Sequence, residues 1–225
     1  MESDRILVRE SLAETLWRLE EVRLGFRPKI AAQVEEALTF VLSRQGLKGS
    51  YMNLFAATEK DLQGVKLPSG EKLESAALRH ILGEEALRAV VLWNRRSTSA
   101  VTSALESFGE LLKRGEPCAK KSGFYCCYKC TPAFLRTLVV AKPDEWAETL
   151  ERGVQRIKRE RTSDGRWHGF PFFYTLLALS DIGSPSAKTE LEHARTVAGK
   201  ILKRYQGNDR TSRFRRLGLE STLSA

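Results

Sequence analysis

Apolar residues recur along most of the chain at three- and four-residue spacings, the period of an amphipathic helix. Ile6, Leu7, Leu12, Leu16, Leu19 and Val22 form one such stripe over residues 4–24. Ile30, Val34, Leu38, Val41 and Leu42 form a second over 29–44, with Pro28 just before it or in its first turn. Residues 46–70 break the pattern, because Gly46, Gly49, Gly64 and Pro68-Ser69-Gly70 are turn signals. Ser69 stands where it could cap a helix reaching about Trp93, with a bend near Gly83. A further helix fits 99–113. A Gly/Cys/Lys-rich loop then runs from Gly115 to Cys130, after which Thr131 reads as an N-cap with Pro132 at the first helical position. Pro143 opens the next helix, to about Arg161, and the loop Ser163–Pro171 leads into a short, very apolar helix near 172–182. Ser184 and Pro185 start a long helix to about Tyr205. Strand alternation is nearly absent. The pattern predicts an all-α fold, with one helical-repeat domain over 1–206 and a basic C-terminal tail over 207–225.

With 225 residues, 42% of them hydrophobic, the chain can bury a full core without a disulfide or a metal to hold it. No apolar run approaches the roughly 20 residues of a membrane span. The opening MESDRILVRE is charged and has no apolar signal region, so the expected compartment is the cytoplasm. There, four cysteines are expected as thiols or metal ligands rather than disulfides. The net charge of +9 is local: residues 195–216 hold eight bases and one acid. Lys203, Arg204, Arg210, Arg213, Arg215 and Arg216 are therefore candidates for binding nucleic acid or an acidic partner. The alternative is a solvated helix edge, since only Phe214 interrupts the charges with an aromatic ring.

A weak repeat underlies the helices. Residues 152–167 read RGVQRIKRERTSDGRW and align without gaps on 36–51, EALTFVLSRQGLKGSY. Gln45 then falls on Arg161, Gly49 on Gly165 and Tyr51 on Trp167. A third copy runs from Leu111-Leu112 to Gly123-x-Tyr125 with a three-residue insertion, and a fourth begins at Ile201-Leu202 with Gln206. Such periods are the sign of stacked helical hairpins. The copy at Arg152, Gly153, Ile157, Arg161, Gly165 and Trp167 resembles the QW motif of the prenyltransferase and squalene-cyclase-like repeat superfamily. It departs from that motif where Arg156 replaces the aromatic residue and Arg161 replaces Gln, whereas the first copy keeps Phe40 and Gln45. The resemblance implies a small or open α/α toroid, with a ring that a homodimer could complete. It also implies a central cavity for a small apolar or isoprenoid-like ligand. The superfamily's acid clusters and its Asp-x-Cys zinc motif are missing, so the resemblance implies architecture more than any reaction.

Three sets of residues carry candidate chemistry. Cys118, Cys126, Cys127 and Cys130 fall in CAKKSGFYCCYKC, and Cys127-x-x-Cys130 has the local spacing of zinc sites and of redox pairs. Three cysteines with His168 would suit one tetrahedral zinc ion better than four cysteines, because Cys126 and Cys127 are adjacent. The alternatives are a redox pair or cysteines packed as small hydrophobes. Tyr51, Tyr125, Trp167, Phe170, Phe173 and Thr175, together with Tyr174, are candidates to line an aromatic ligand mouth or else to pack the repeat. Glu59 and Asp61, with His168 and Tyr174, are the candidates for acid–base work, whereas Glu84 and Glu85 point about 100° apart on a helix and His80 reads as structural. Three functions remain open on these residues. They are an apolar-ligand toroid with or without catalysis, a scaffold for protein or nucleic acid, and a metal or redox module on the cysteine loop.

Overall fold

The computed structural model describes residues 5–114 and 125–225. Among these, nine helices form an all-α fold: α1 (Leu12–Arg23), α2 (Ala31–Leu42), α3 (Ser75–Leu92), α4 (Ser99–Arg114), α5 (Cys130–Ala141), α6 (Trp146–Arg159), α7 (Phe172–Ile182), α8 (Pro185–Leu202) and α9 (Arg210–Ser224). The only sheet among the described residues is a two-residue ladder, β1 (Val65–Lys66) with β2 (Lys72–Leu73). No described helix is long and apolar enough to cross a membrane. The chain divides into two compact units. One is Met1–Val65 with Lys72–Lys113, and the other is Lys66–Glu71 with Arg114–Ala225.

In the first unit α1, α2 and α3 pack on one another. Residues 5–10 are not helical, although Ile6 and Leu7 continue the stripe of α1. Ser11 ends the segment by accepting the Glu14 N–H as N-cap. Asp61 explains the rest: its buried carboxylate accepts from Ser11 Oγ, Leu12 N, Thr58 N and Thr58 Oγ1 at 2.6–2.9 Å. It thereby fixes the start of α1 to the irregular loop. Ser69 does not cap α3, because Pro68-Ser69-Gly70 forms the turn of the ladder, with Gly70 N–H on the Leu67 carbonyl at 2.8 Å. α3 continues through Gly83, where an added Cβ would come within 3.2 Å of Leu54. In α4, Val101, Ala104, Phe108 and Leu111 bury one face at helical spacing.

The second unit is built around α7. Tyr174 through Leu179 are all buried, and α7 packs on α5, α8 and α9. α8 begins as expected, with Ser184 accepting the Ala187 N–H and Pro185 at the first turn. The expected tail is the ordered helix α9. Asp209 caps it through Ser212 N and Oγ, and Phe214, Gly218, Leu219 and Thr222 bury its inner face against α7 and α8. Gly218 lets the helices approach closely, since a Cβ there would lie 3.2 Å from that of Leu176. The density of charge hides this helix in the sequence, because Phe214 and Leu219 are the only large apolar residues among its buried positions.

The two best copies of the repeat share a local geometry, although not in the ungapped register. Arg161 and Trp167 pair across an antiparallel bridge at the end of α6; Gln45 pairs in the same way after α2, but with Phe55 rather than Tyr51. The first loop is four residues longer, and the excess contains Met52 and Asn53 at positive φ. Asn53 holds that detour by donating to Ser103 and Ser107 on α4. In both copies the side chain at the helix end reaches another helix of its unit. Gln45 Nε2 lies 3.4 Å from Ser103 Oγ, while Arg161 forms a two-pronged pair with the buried Glu190 of α8. Trp167 Nε1–H donates to the same carboxylate at 3.0 Å.

Candidate functional site

The cysteine loop meets α5 at its first turn. Lys129 already has helical dihedrals, and the Thr131 N–H reaches the Cys127 carbonyl at 3.0 Å, so the first hydrogen-bonded turn runs back to Cys127. Thr131 does not serve as the N-cap expected of it. Its Oγ instead accepts the Tyr125 N–H at 3.0 Å and lies 3.0 Å from the carbonyls of Tyr125 and Cys127. It therefore ties the loop to the helix that follows. A three-residue turn precedes, with the Cys127 N–H on the Tyr125 carbonyl at 2.6 Å and Cys126 at φ 54. That is the left-handed region, which costs a non-glycine residue about 1–3 kcal/mol and persists only where the surroundings impose it.

The turn gathers three thiols. Cys127 and Cys130 share a sulfur–sulfur hydrogen bond at 3.3 Å, and the Cys126 and Cys130 sulfurs lie within 4.8 Å of each other. Cys130 is fully buried, Cys127 half-buried and Cys126 exposed. The Cys127 thiol is lowered from its ordinary value of 9.0 to about 5. The hydrogen bond from Cys130 is the largest cause, opposed by burial, with the backbone N–H groups of Cys130 and Lys129 and the Cys126 thiol adding to it. Cys130 N lies 3.4 Å from the Cys127 sulfur. Backbone donors at a helix start favour the thiolate, for the reason that they favour any anion there. Cys118 lies outside the described residues.

Tyr128 sets this loop against residues 168–170. Its ring meets His168 edge-on at 6.3 Å between centroids and Phe170 at 5.1 Å. Gly169, at φ 74, makes room, since a Cβ there would fall 2.7 Å from the Tyr128 ring. His168 is exposed, with its backbone N–H on the Glu160 carbonyl at 2.7 Å. Among the described residues it forms no close ligand group with the thiols, so the expected set of cysteines plus His168 is not assembled here.

The other candidates have structural surroundings. Asp61 is fully buried under its hydrogen bonds, and Glu59 beside it is exposed on a polar cleft with Arg9, Glu10, Arg44 and Lys60. Tyr125 stacks on Phe134 at 4.2 Å, and Tyr174 lies under the Arg136 guanidinium, which pairs with Asp181 at 2.7 Å. Thr175 Oγ1 donates to the Pro171 carbonyl, Trp167 and Phe170 are buried, and Phe173 carries Arg215 over its ring at 4.4 Å. These side chains pack the second unit. Tyr51 contacts His80 at 3.7 Å between ring centroids, and burial lowers the His80 pKa. Glu84 and Glu85 are buried, and Glu85 lies 3.5 Å from Arg88.

The basic candidates separate in the same way. Arg215 donates to the Ser69 carbonyl at 2.7 Å and to Tyr205 Oη, and Arg216 to the carbonyls of Tyr205 and Gly207. Both cations serve to dock α9. Arg210 and Arg213 are half-buried, whereas Lys203 and Arg204 are exposed. Comparison with family models, curated proteins and solved structures returns no match to the chain. The chemistry of the site itself therefore supports the functional reading.

Proposed function

We propose that the cysteine loop is a site for a thiophilic cation of the zinc class, held by Cys126, Cys127 and Cys130. The convergence of two sulfurs on that of Cys130 carries this reading, Cys127 at 3.3 Å and Cys126 within 4.8 Å. Tetrahedral thiolates about 2.3 Å from zinc stand about 3.8 Å from one another, so the sulfurs of Cys126 and Cys127 each lie within about 1 Å of that separation from Cys130. The left-handed turn at Cys126 acquires a purpose, because it brings the exposed thiol to the buried one. Cys118 is the one thiol of the sequence outside the described residues, and it is the first further ligand to test. Such an ion would join the loop to α5 and add its binding energy to the folded state.

The test is titration of the reduced chain, free of any histidine tag, with Co2+ and then Zn2+. One ion per chain with thiolate-to-cobalt charge-transfer bands, displaced by zinc, is expected. Cys126→Ser, Cys127→Ser and Cys130→Ser should each weaken binding at least about tenfold, the loss typical even of outer-shell partners. Absence of a stoichiometric complex, or serine variants that bind as the parent does, would overturn the reading.

A further inference from the structure

The same loop has a geometry that three-thiol ligation does not use. Cys127 and Cys130 touch directly at 3.3 Å, in a Cys-x-x-Cys arrangement on the first turn of α5. A disulfide is about 2.05 Å long, so the sulfurs need approach by only about 1.2 Å. Their exposures are unequal: Cys127 is half-buried and Cys130 fully buried. One sulfur is thus open to an incoming partner, while the other is held behind it in direct contact with Cys127. The Cys130 N–H points at the accessible sulfur from 3.4 Å.

We infer that Cys127 and Cys130 form a two-electron redox couple that exchanges with disulfide substrates, Cys127 attacking and Cys130 resolving. The inference goes beyond cation binding and stands on the sulfur pair alone. In the first step the Cys127 thiolate forms a bond to one sulfur of the substrate. The substrate's S–S bond breaks, and the second sulfur leaves with the electron pair and takes up a proton from solvent. In the next step Cys130 loses its proton and attacks the Cys127 sulfur, and the mixed disulfide breaks. The released substrate thiolate takes the proton that Cys130 gave up. One substrate disulfide is reduced to two thiols, and one protein dithiol is oxidised to a disulfide. The pair closes a ring containing only Tyr128 and Lys129, and Cys126 is left as a thiol. Because Cys127 and Cys130 are also two of the three proposed ligands, oxidation and cation binding exclude each other.

Lys129 makes the bond directly readable, since trypsin cuts after it and separates Cys126 and Cys127 from Cys130. The full chain, freed of metal by a chelator, is equilibrated with reduced and oxidised glutathione, quenched by alkylation, digested and mapped. The expected product is one linked pair of peptides spanning Lys129, in the parent and equally in Cys126→Ser. Cys130→Ser should leave glutathione on Cys127, raising that mixed disulfide by roughly tenfold or more because its resolving thiol is gone. Cys130→Ala provides the same readout if a buried hydroxyl unfolds α5. Loss of the linked peptides in Cys126→Ser would overturn the assignment, since the bond would then be Cys126–Cys130. A parent that accumulates glutathione on Cys127 without linking would overturn the couple itself. The cobalt titration above is unaffected by either outcome, so failure of the couple and failure of the cation site are separately visible.

Discussion

At the scale of single residues, the thiol of Cys127 shows how three weak local effects add. A neighbouring thiol, two backbone N–H groups and a second cysteine all favour its thiolate, and partial burial opposes them without prevailing. In the reduced, metal-free chain, alkylation of Cys127 by iodoacetamide should rise with an inflection near pH 5 and then level off. An ordinary thiol would still be gaining rate toward its value of 9.0. Cys130→Ala should move that inflection upward, because the hydrogen bond from Cys130 is the largest cause. The same shift links to stability. Between the folded value of about 5 and the unfolded one near 9, the unfolded chain binds more protons. Stability from this group is therefore fully present above the upper value, and is lost as pH falls toward about 5. Replacing Cys127 with Ala should flatten that part of the stability–pH curve, measured by urea unfolding across the range. A curve that keeps its slope in the variant would assign the rise to other groups.

At the scale of elements, close approach decides more than hydrophobicity does. Gly153 on α6 faces α5, and a Cβ there would fall 2.4 Å from Leu135 Cδ2 and 3.0 Å from its Cδ1. Gly153→Ala should therefore cost about 1–3 kcal/mol through overpacking, even though alanine is the better helix former. Gly199 on α8 has no atom nearer than 3.8 Å to such a Cβ, so Gly199→Ala should be neutral or stabilise by up to about 1 kcal/mol. Urea unfolding of both variants checks the pair, and equal midpoints would refute the packing argument. The sequence showed α7 and α8 because a long apolar run and a Ser-Pro start are local signals. It showed the cysteine pair through its spacing. It could not show α9, whose burial is confined to five positions among arginines, nor the displacement of Tyr51 by Phe55, which depends on a four-residue detour held from α4. Thr131 was legible as polar punctuation before Pro132, yet its role as the clasp on Tyr125 and Cys127 arises only when the turn at Cys126 closes. Asp61 looked like one member of an acid pair, and became a structural anchor because the backbone of Leu12 and the hydroxyls of Ser11 and Thr58 converge on it.

At the scale of the whole molecule, the charge of +9 is not one property but two. Arg215 and Arg216 are bound to carbonyls and an aromatic ring within the second unit, so their charge is coupled to packing. Lys200, Lys203 and Arg204 are exposed and remain available to a polyanion. The two groups should respond oppositely to substitution. Reversing Lys203 and Arg204 to Glu removes four units of charge from the surface. It should lower the salt concentration at which the chain elutes from heparin, because fewer counterions are exchanged on binding, while leaving the thermal midpoint nearly unchanged. Arg215→Ala removes one unit of charge and should leave heparin elution close to the parent's. It should lower the thermal midpoint, since it strips the Ser69 carbonyl of its donor and the Phe173 ring of its covering cation. Chromatography on heparin alongside a thermal melt separates the two quantities for each variant. If Arg215→Ala instead lowered elution with no change in melting, its guanidinium would belong to the binding surface, and the docking of α9 would have to be carried by Phe214, Gly218 and Leu219 alone.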